Sequence, residues 1–245
     1  MREERIEEVA MALAEAYRDT SLIVPAARLA DLSIEEAVEI QQRVVEMLGE
    51  RVPVAKVGLA ADGAFTAAPI MGSYVLESGG TVPLPGRGLI GVEVEIAARL
   101  KKDLTPEMAQ GDIRDVVDGL ICGIEIIGSR LDDRKQAGAG GQLADSITSG
   151  GYVLGGEWTG GPLVDGLPLE IRADGEVVYS GEAKHPAGDA MRPLAVLARQ
   201  GWGSVTPKAG MVITTGSLCG IVAVPMPSLV SVRLGDGPEV TVRFA

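Results

Sequence analysis

The chain has 245 residues, of which 46% are hydrophobic, 23% charged and only 3% aromatic, so its core is aliphatic rather than built from rings. A net charge of −12 and a pI of about 4.6 exclude a phosphate backbone or an anionic membrane as a natural partner, but not a small anion beside a bound cation. Two cysteines are too few for a disulfide framework and no run reaches the ~18 apolar residues of a membrane span, so a reduced, cytoplasmic protein is expected.

In chain order, Ile6, Val9, Ala10, Leu13, Ala16 and Tyr17 recur at helical spacing. Ser33 and Glu36 form a capping-box pattern, and Ile34, Ala37, Val38, Val44, Val45 and Leu48 give a second stripe ended by Gly49. Residues 1–52 therefore read as a helical segment, and residues 53–245 as a β-rich domain. Within the latter, strands are expected at Val54–Leu59, Leu89–Leu100, Leu120–Ile127 and Tyr152–Leu154. A helix is expected between Pro106 and Val117, with Thr105 as cap and Pro106 at its first position. Asp174-Gly175 is a hairpin signal between Leu169–Ala173 and Glu176–Tyr179. Asp189–Arg199 reads as a helix despite Pro193, and the last 35 residues as three or four strands. The glycines at 138–141 do not follow a strand in a phosphate-binding pattern, which leaves nucleotide binding unsupported.

The chemistry concentrates in Gly91-Val92-Glu93-Val94-Glu95-Ile96. Alternate side chains of a strand share a face, so Glu93 and Glu95 point the same way, roughly 7 Å apart at Cβ. Glu125 is a third acid in an apolar run, Ile124-Glu125-Ile126-Ile127. A buried carboxylate has to be paired, protonated or metal-bound. Three of them make an oxygen-ligand site for Mg²⁺ or Mn²⁺. Each acid taken singly also reads as a solvent-facing residue on the wet face of a strand. Lys56, alone in Val54-Ala55-Lys56-Val57-Gly58-Leu59, is either a substrate-binding or proton-relaying cation or a snorkelling surface lysine. His185, the only histidine, reads as a turn residue before Pro186, and its solitude argues against a zinc site or a serine–histidine triad. Asp145-Ser146 and Thr215-Gly216-Ser217 either present polar groups to an anion or turn the chain.

Taken together, Lys56-Val57-Gly58-Leu59, Val92-Glu93-Val94-Glu95-Ile96-Ala97 and Ile124-Glu125-Ile126-Ile127-Gly128-Ser129-Arg130 resemble the hydratase/decarboxylase family in order and spacing. That family includes 2-keto-4-pentenoate hydratase and 4-oxalocrotonate decarboxylase, within the fumarylacetoacetate hydrolase superfamily. The likeness continues through Asp145-Ser146, Gly181–Pro186, Leu194–Leu197, Ala209–Ser217 and Val240–Phe244. The resemblance implies an α+β, mostly β fold: a mixed β barrel or roll with peripheral helices and an N-terminal helical segment. It also implies homo-oligomers, a small 2-oxo acid substrate, Mg²⁺ or Mn²⁺ on Glu93, Glu95 and Glu125, and substrate contacts from Lys56, Ser217 and Asp145.

Two positions depart from the family pattern. Hydratases often carry an acid where this chain has Ile70, in Pro69-Ile70-Met71-Gly72, and the usual Asp-Asn pair is Asp145-Ser146. Hydration of a 2-hydroxydienoate is the expected reaction. Ile70, which cannot orient water, draws the alternative of a 4-oxalocrotonate-type decarboxylation. A C–C bond hydrolase, an oxaloacetate decarboxylase and a catalytically silent binding or assembly protein on the same fold remain further alternatives.

Overall fold

A computed structural model describes residues 2–60, 62–84, 88–203 and 206–245. Two helices come first, α1 (Arg2–Arg18) and α2 (Ile34–Leu48). The capping box at α2 is complete: Ser33 Oγ accepts from Glu36 N at 3.2 Å, and Glu36 Oε2 accepts from Ser33 N at 3.0 Å. Gly49 closes the helix in a left-handed conformation, as its position predicts. The apolar stripes of α1 and α2 meet in one core, which extends to Met71, Leu131, Ala137, Leu143 and Ala144.

Twelve strands follow among the described residues: β1 (Val54–Leu59), β2 (Phe65–Ile70), β3 (Val75–Glu77), β4 (Gly80–Val82), β5 (Leu89–Leu100), β6 (Val117–Gly128), β7 (Ser149–Trp158), β8 (Pro168–Ala173), β9 (Glu176–Glu182), β10 (Val212–Ser217), β11 (Ser228–Leu234) and β12 (Val240–Phe244). Two more helices interrupt them, α3 (Gly138–Ala144) and α4 (Met191–Gln200). The strands form a seven-stranded mixed sheet, β2-β1-β10-β5-β6-β7-β3, and a five-stranded sheet, β4-β12-β11-β8-β9. The fold is α+β with more strand than helix, as the sequence implies.

The large sheet has two distinct faces. Val92, Val94 and Ile96 of β5 and Cys122, Ile124 and Ile126 of β6 pack on Ile171, Val230, Val232 and Val242 of the small sheet. Farther along the same face, Ala55, Ala98 and Ile213 pack on Leu194 and Leu197 of α4. The alternating residues of these strands face the other way and carry the three glutamates.

Several expectations are revised. Residues 106–117 do not form one helix but two short 3₁₀ turns, Pro106–Gln110 and Ile113–Val116. Gly111 is extended between them and Asp112 caps the second turn, so the chain restarts instead of continuing; Thr105 makes no side-chain cap. The glycines at 138–141 belong to α3. A Cβ on Gly140 would lie 2.0 Å from the Leu32 carbonyl oxygen, so glycine lets this helix approach the backbone beneath it. The strand read at Tyr152–Leu154 is ten residues long, its ends hidden by glycines. β2 contains Pro69, tolerated because β2 is an edge strand. The Asp174-Gly175 hairpin joins β8 and β9 as expected, and both cysteines are free.

Candidate metal centre

Cross-strand register assembles the site. On β5, Glu93 and Glu95 project from one face. On β6, Glu125 pairs with Glu93, and Gly123 with Glu95. On β1, Lys56 pairs with Thr214 of β10, which pairs with Ala97 of β5, so the lysine points to the same side. The expected trio converges: one carboxylate oxygen from each of Glu93, Glu95 and Glu125 lies within 4.8 Å of the others. Lys56 Nζ donates to Glu125 Oε1 at 2.5 Å and to the Ile147 carbonyl at 3.2 Å. Glu125 is fully buried, and its second oxygen, Oε2, has no hydrogen-bond partner among the described residues.

Glu95 is 2% exposed. Burial, then the charges of Glu125 and Glu93, push its carboxyl well above the usual range. Burial and Glu125 likewise raise Glu93, which is more open to solvent. Lys56 responds in the opposite sense. Burial opposes its charge, but Glu125 and Glu95 outweigh that and hold its pKa above the ordinary value. Three acids facing one ammonium leave an excess of negative charge in a nearly dry cleft. A hard divalent cation would balance that excess, and Glu125 Oε2, without a partner among the described residues, would offer it a free lone pair. The donor set therefore fits Mg²⁺ or Mn²⁺.

Strand β10 completes the wall. Its register shifts between Thr214 and Ser217, which opens the ladder and brings Gly216 N to Glu95 Oε2 at 3.4 Å. Ser217 sits opposite Glu95, close enough to Glu93 to help lower its carboxyl pKa, and its buried hydroxyl has no hydrogen-bond partner of normal geometry among the described residues. His185 holds this bulge from behind. Thr215 Oγ1 donates to Ile96 O at 2.6 Å and stands 3.2 Å from His185 Nε2, while His185 Nδ1 accepts from Ala187 N at 3.1 Å. Those roles require the neutral tautomer protonated on Nε2, and burial lowers the imidazole pKa accordingly. His185 also opens a turn, its carbonyl accepting from Gly188 N at 2.9 Å, as the sequence reading expects; its support of the bulge is not part of that reading.

Asp145 stands apart from the cluster. It is fully buried, accepts from Ser129 Oγ at 2.7 Å and forms an ion pair with Arg130. Sequence reasoning gave no role to Tyr152, whose phenol lies over Gly123, near Glu95 and Thr214; the glycine directly opposite Glu95 is the one sequence signal for it. A separate cavity of about 440 Å³, lined by Tyr17, Tyr74, Leu76, Ile126 and Arg130, lies on the other face of β6 from Glu125.

Comparison of the whole structure with solved ones gives a full-length match. 4-Oxalocrotonate decarboxylase from Pseudomonas putida G7, complexed with magnesium and adipate, superposes with a TM-score of 0.82 at 21% identity, covering 100% of this chain and 98% of that one. At that identity the likeness shows the fold. A fumarylacetoacetate hydrolase family protein from Yersinia pestis CO92 matches with a TM-score of 0.58 at 16% identity over 78% of this chain and 92% of that one. The 2-hydroxyhepta-2,4-diene-1,7-dioate isomerase from Mycobacterium marinum gives 0.59 at 16% identity, over 79% and 74%. No family model and no curated protein matches the chain by sequence. In this chain the glutamate trio occupies the middle of the large sheet, on the adjacent strands β5 and β6. Among the described residues, no helix is long and apolar enough to cross a membrane.

Proposed function

We propose that the chain is a divalent-cation-dependent lyase of small 2-oxo acids, and that the reaction is a 4-oxalocrotonate-type decarboxylation. The carrying observation is the convergence of Glu93, Glu95 and Glu125 beside the buried Lys56, with Glu125 Oε2 and Ser217 Oγ lacking hydrogen-bond partners of normal geometry among the described residues. Mg²⁺ or Mn²⁺ held by the three carboxylates supplies Lewis-acid stabilisation of the negative charge that develops on the 2-oxo oxygen.

The protein's own groups have separable tasks. Lys56 sits at the edge of the acid cluster, where its ammonium attracts the substrate carboxylate or hands a proton to the enolate oxygen. Ser217 Oγ donates to an anionic substrate oxygen. In decarboxylation, the carbon–carbon bond to the departing CO₂ breaks. Its electron pair passes through the conjugated alkene to the 2-oxo oxygen, and one proton completes the 2-hydroxydienoate.

The wall beside Lys56 favours this branch over hydration. Ala68 stands opposite Lys56, and Ile70 opposite Val54, on β2. Ile70 is 2% exposed and packs with Val54, Ala97, Ile121, Tyr152 and Val212. Ala68 and Ile70 offer no carboxylate to orient the water that hydration needs.

The test supplies 2-oxohex-3-enedioate with Mg²⁺ or Mn²⁺ and follows the products. Chelator-sensitive release of CO₂ supports the proposal. Conversion of a 2-hydroxydienoate to a 4-hydroxy-2-oxo acid would move the assignment to a hydratase. No turnover of either acid, with metal bound, would leave a binding protein on this fold.

A further inference from the structure

The chain between α3 and β7 makes an unusual turn. Ser146, Ile147 and Thr148 are consecutive non-glycine residues with φ of 52°, 51° and 62°. One such residue is uncommon, and for β-branched side chains the left-handed region is a genuine outlier. Three in a row persist only where the surroundings over-determine them. The carbonyl in the middle of this turn, Ile147 O, is the one that accepts from Lys56 Nζ at 3.2 Å.

Arg130 supplies the over-determination. Its Nε pairs with the Asp145 carboxylate just before the turn. A terminal guanidinium nitrogen donates to Asp145 O at 3.1 Å and to Ser149 O at 2.7 Å, on either side of the three strained residues. The Arg130 backbone N–H and Ser129 Oγ hold the other carboxylate oxygen of Asp145, at 3.1 and 2.7 Å. The guanidinium also lies 4.2 Å from the centre of the Tyr17 ring, whose hydroxyl donates to Ser146 Oγ at 2.9 Å. Arg130 is 6% exposed and Asp145 fully buried. This arginine thus grips both ends of the turn, and a tyrosine from α1 grips its first residue.

We propose that Arg130 is a positioning residue: with Asp145 and Tyr17 it holds the Ser146–Thr148 turn in its left-handed form, so that the Ile147 carbonyl fixes the Lys56 ammonium over the acid cluster. The functional part rests on the reading of Lys56 as the substrate-contacting cation. Lysine at 130 keeps a charge for Asp145 but lacks the planar fork that spans two carbonyls and a carboxylate. Glycine at 147 keeps the carbonyl and adopts a φ near 51° without a steric penalty.

The experiment compares the wild type, Arg130→Lys and the double variant Arg130→Lys/Ile147→Gly, with saturating Mn²⁺ and 2-oxohex-3-enedioate. Arg130→Lys is expected to lower kcat on the order of 10- to 100-fold through misplacement of Lys56, with Mn²⁺ affinity little changed. Adding Ile147→Gly is expected to restore most of that loss, which a merely structural role for Arg130 would not produce. An unchanged kcat in Arg130→Lys, or a loss that Ile147→Gly leaves in place, overturns the proposal. Should Arg130→Lys not fold, Tyr17→Phe deletes only the hydroxyl bond to Ser146; a several-fold drop in kcat is expected, and no drop counts against the device. If the wild type turns over no 2-oxo acid, the functional reading fails separately. Crystal structures of the same variants then decide the clamp: retention of the Ile147 O to Lys56 Nζ contact without Arg130 or the Tyr17 hydroxyl overturns it.

Discussion

Glu95 shows at a single residue how a buried cluster of acids opposes stability. Its carboxyl is buried, faces two other carboxylates and is pushed well above the usual range. A carboxyl whose pKa rises on folding stabilises the folded state below its ordinary value and loses that contribution as pH climbs through the raised value. Ionising Glu95 in the metal-free protein therefore costs stability that an ordinary carboxyl does not. Glu95→Gln is expected to raise the melting temperature of chelated protein while weakening Mn²⁺ binding on the order of 100-fold in a calorimetric titration. Full metal affinity in that variant would remove Glu95 from the centre. Cys122 is a simpler case: burial pushes its thiol up to about 12, so it stays protonated and inert, as its place in an apolar strand implies.

At the scale of elements, local chemistry and packing act with different strength. The Ser33 cap is local. Ser33→Ala is expected to remove ~1 kcal/mol, seen as a melting shift of about 2–4 °C. A shift of zero would mean that packing alone ends α2. The β6–β7 pair is governed by packing across strands. A Cβ on Gly123 would lie 2.3 Å from the Tyr152 hydroxyl and 2.6 Å from its ring, so Gly123→Ala has to displace a fully buried tyrosine beside Glu95. A loss of ~1–3 kcal/mol in chemical denaturation is expected. A neutral result would show that the phenol moves freely. The same contrast separates the helices: α2 is announced by its cap and stripe, whereas α3 exists because glycines allow close approach to residues 29–32, a contact remote in sequence.

For the molecule as a whole, three acids on two neighbouring strands tie stability to pH and, under the proposed function, to a bound cation. Chelated protein is expected to melt at progressively lower temperature as pH rises from mildly acid to neutral, because Glu93 and Glu95 both have raised pKa values in the folded state. Saturating Mg²⁺ is expected to flatten that slope and to add ~2.7 kcal/mol when present at 100 times its dissociation constant. The measurement is a thermal melt across pH with and without metal. An identical slope in the two series would detach the cation from the glutamates.

Much of this is legible in the chain read alone. The i, i+2 acids in an apolar strand, the lone lysine and acid in two other apolar runs, the capping box and the Asp-Gly hairpin all follow from period and residue chemistry within short windows. The limits of β1 and β5 were legible for the same reason. Tertiary structure decided what depends on partners far apart in the chain. It placed Glu125 opposite Glu93, turned Lys56 toward both through β10, buried Ile70 in the wall of the site and made His185 a support for the β10 bulge. It also produced the left-handed turn at Ser146–Thr148, which has no glycine to announce it and is held by Arg130 and Tyr17 from distant elements. Backbone that is unfavourable locally can be specified only by contacts that no short window contains.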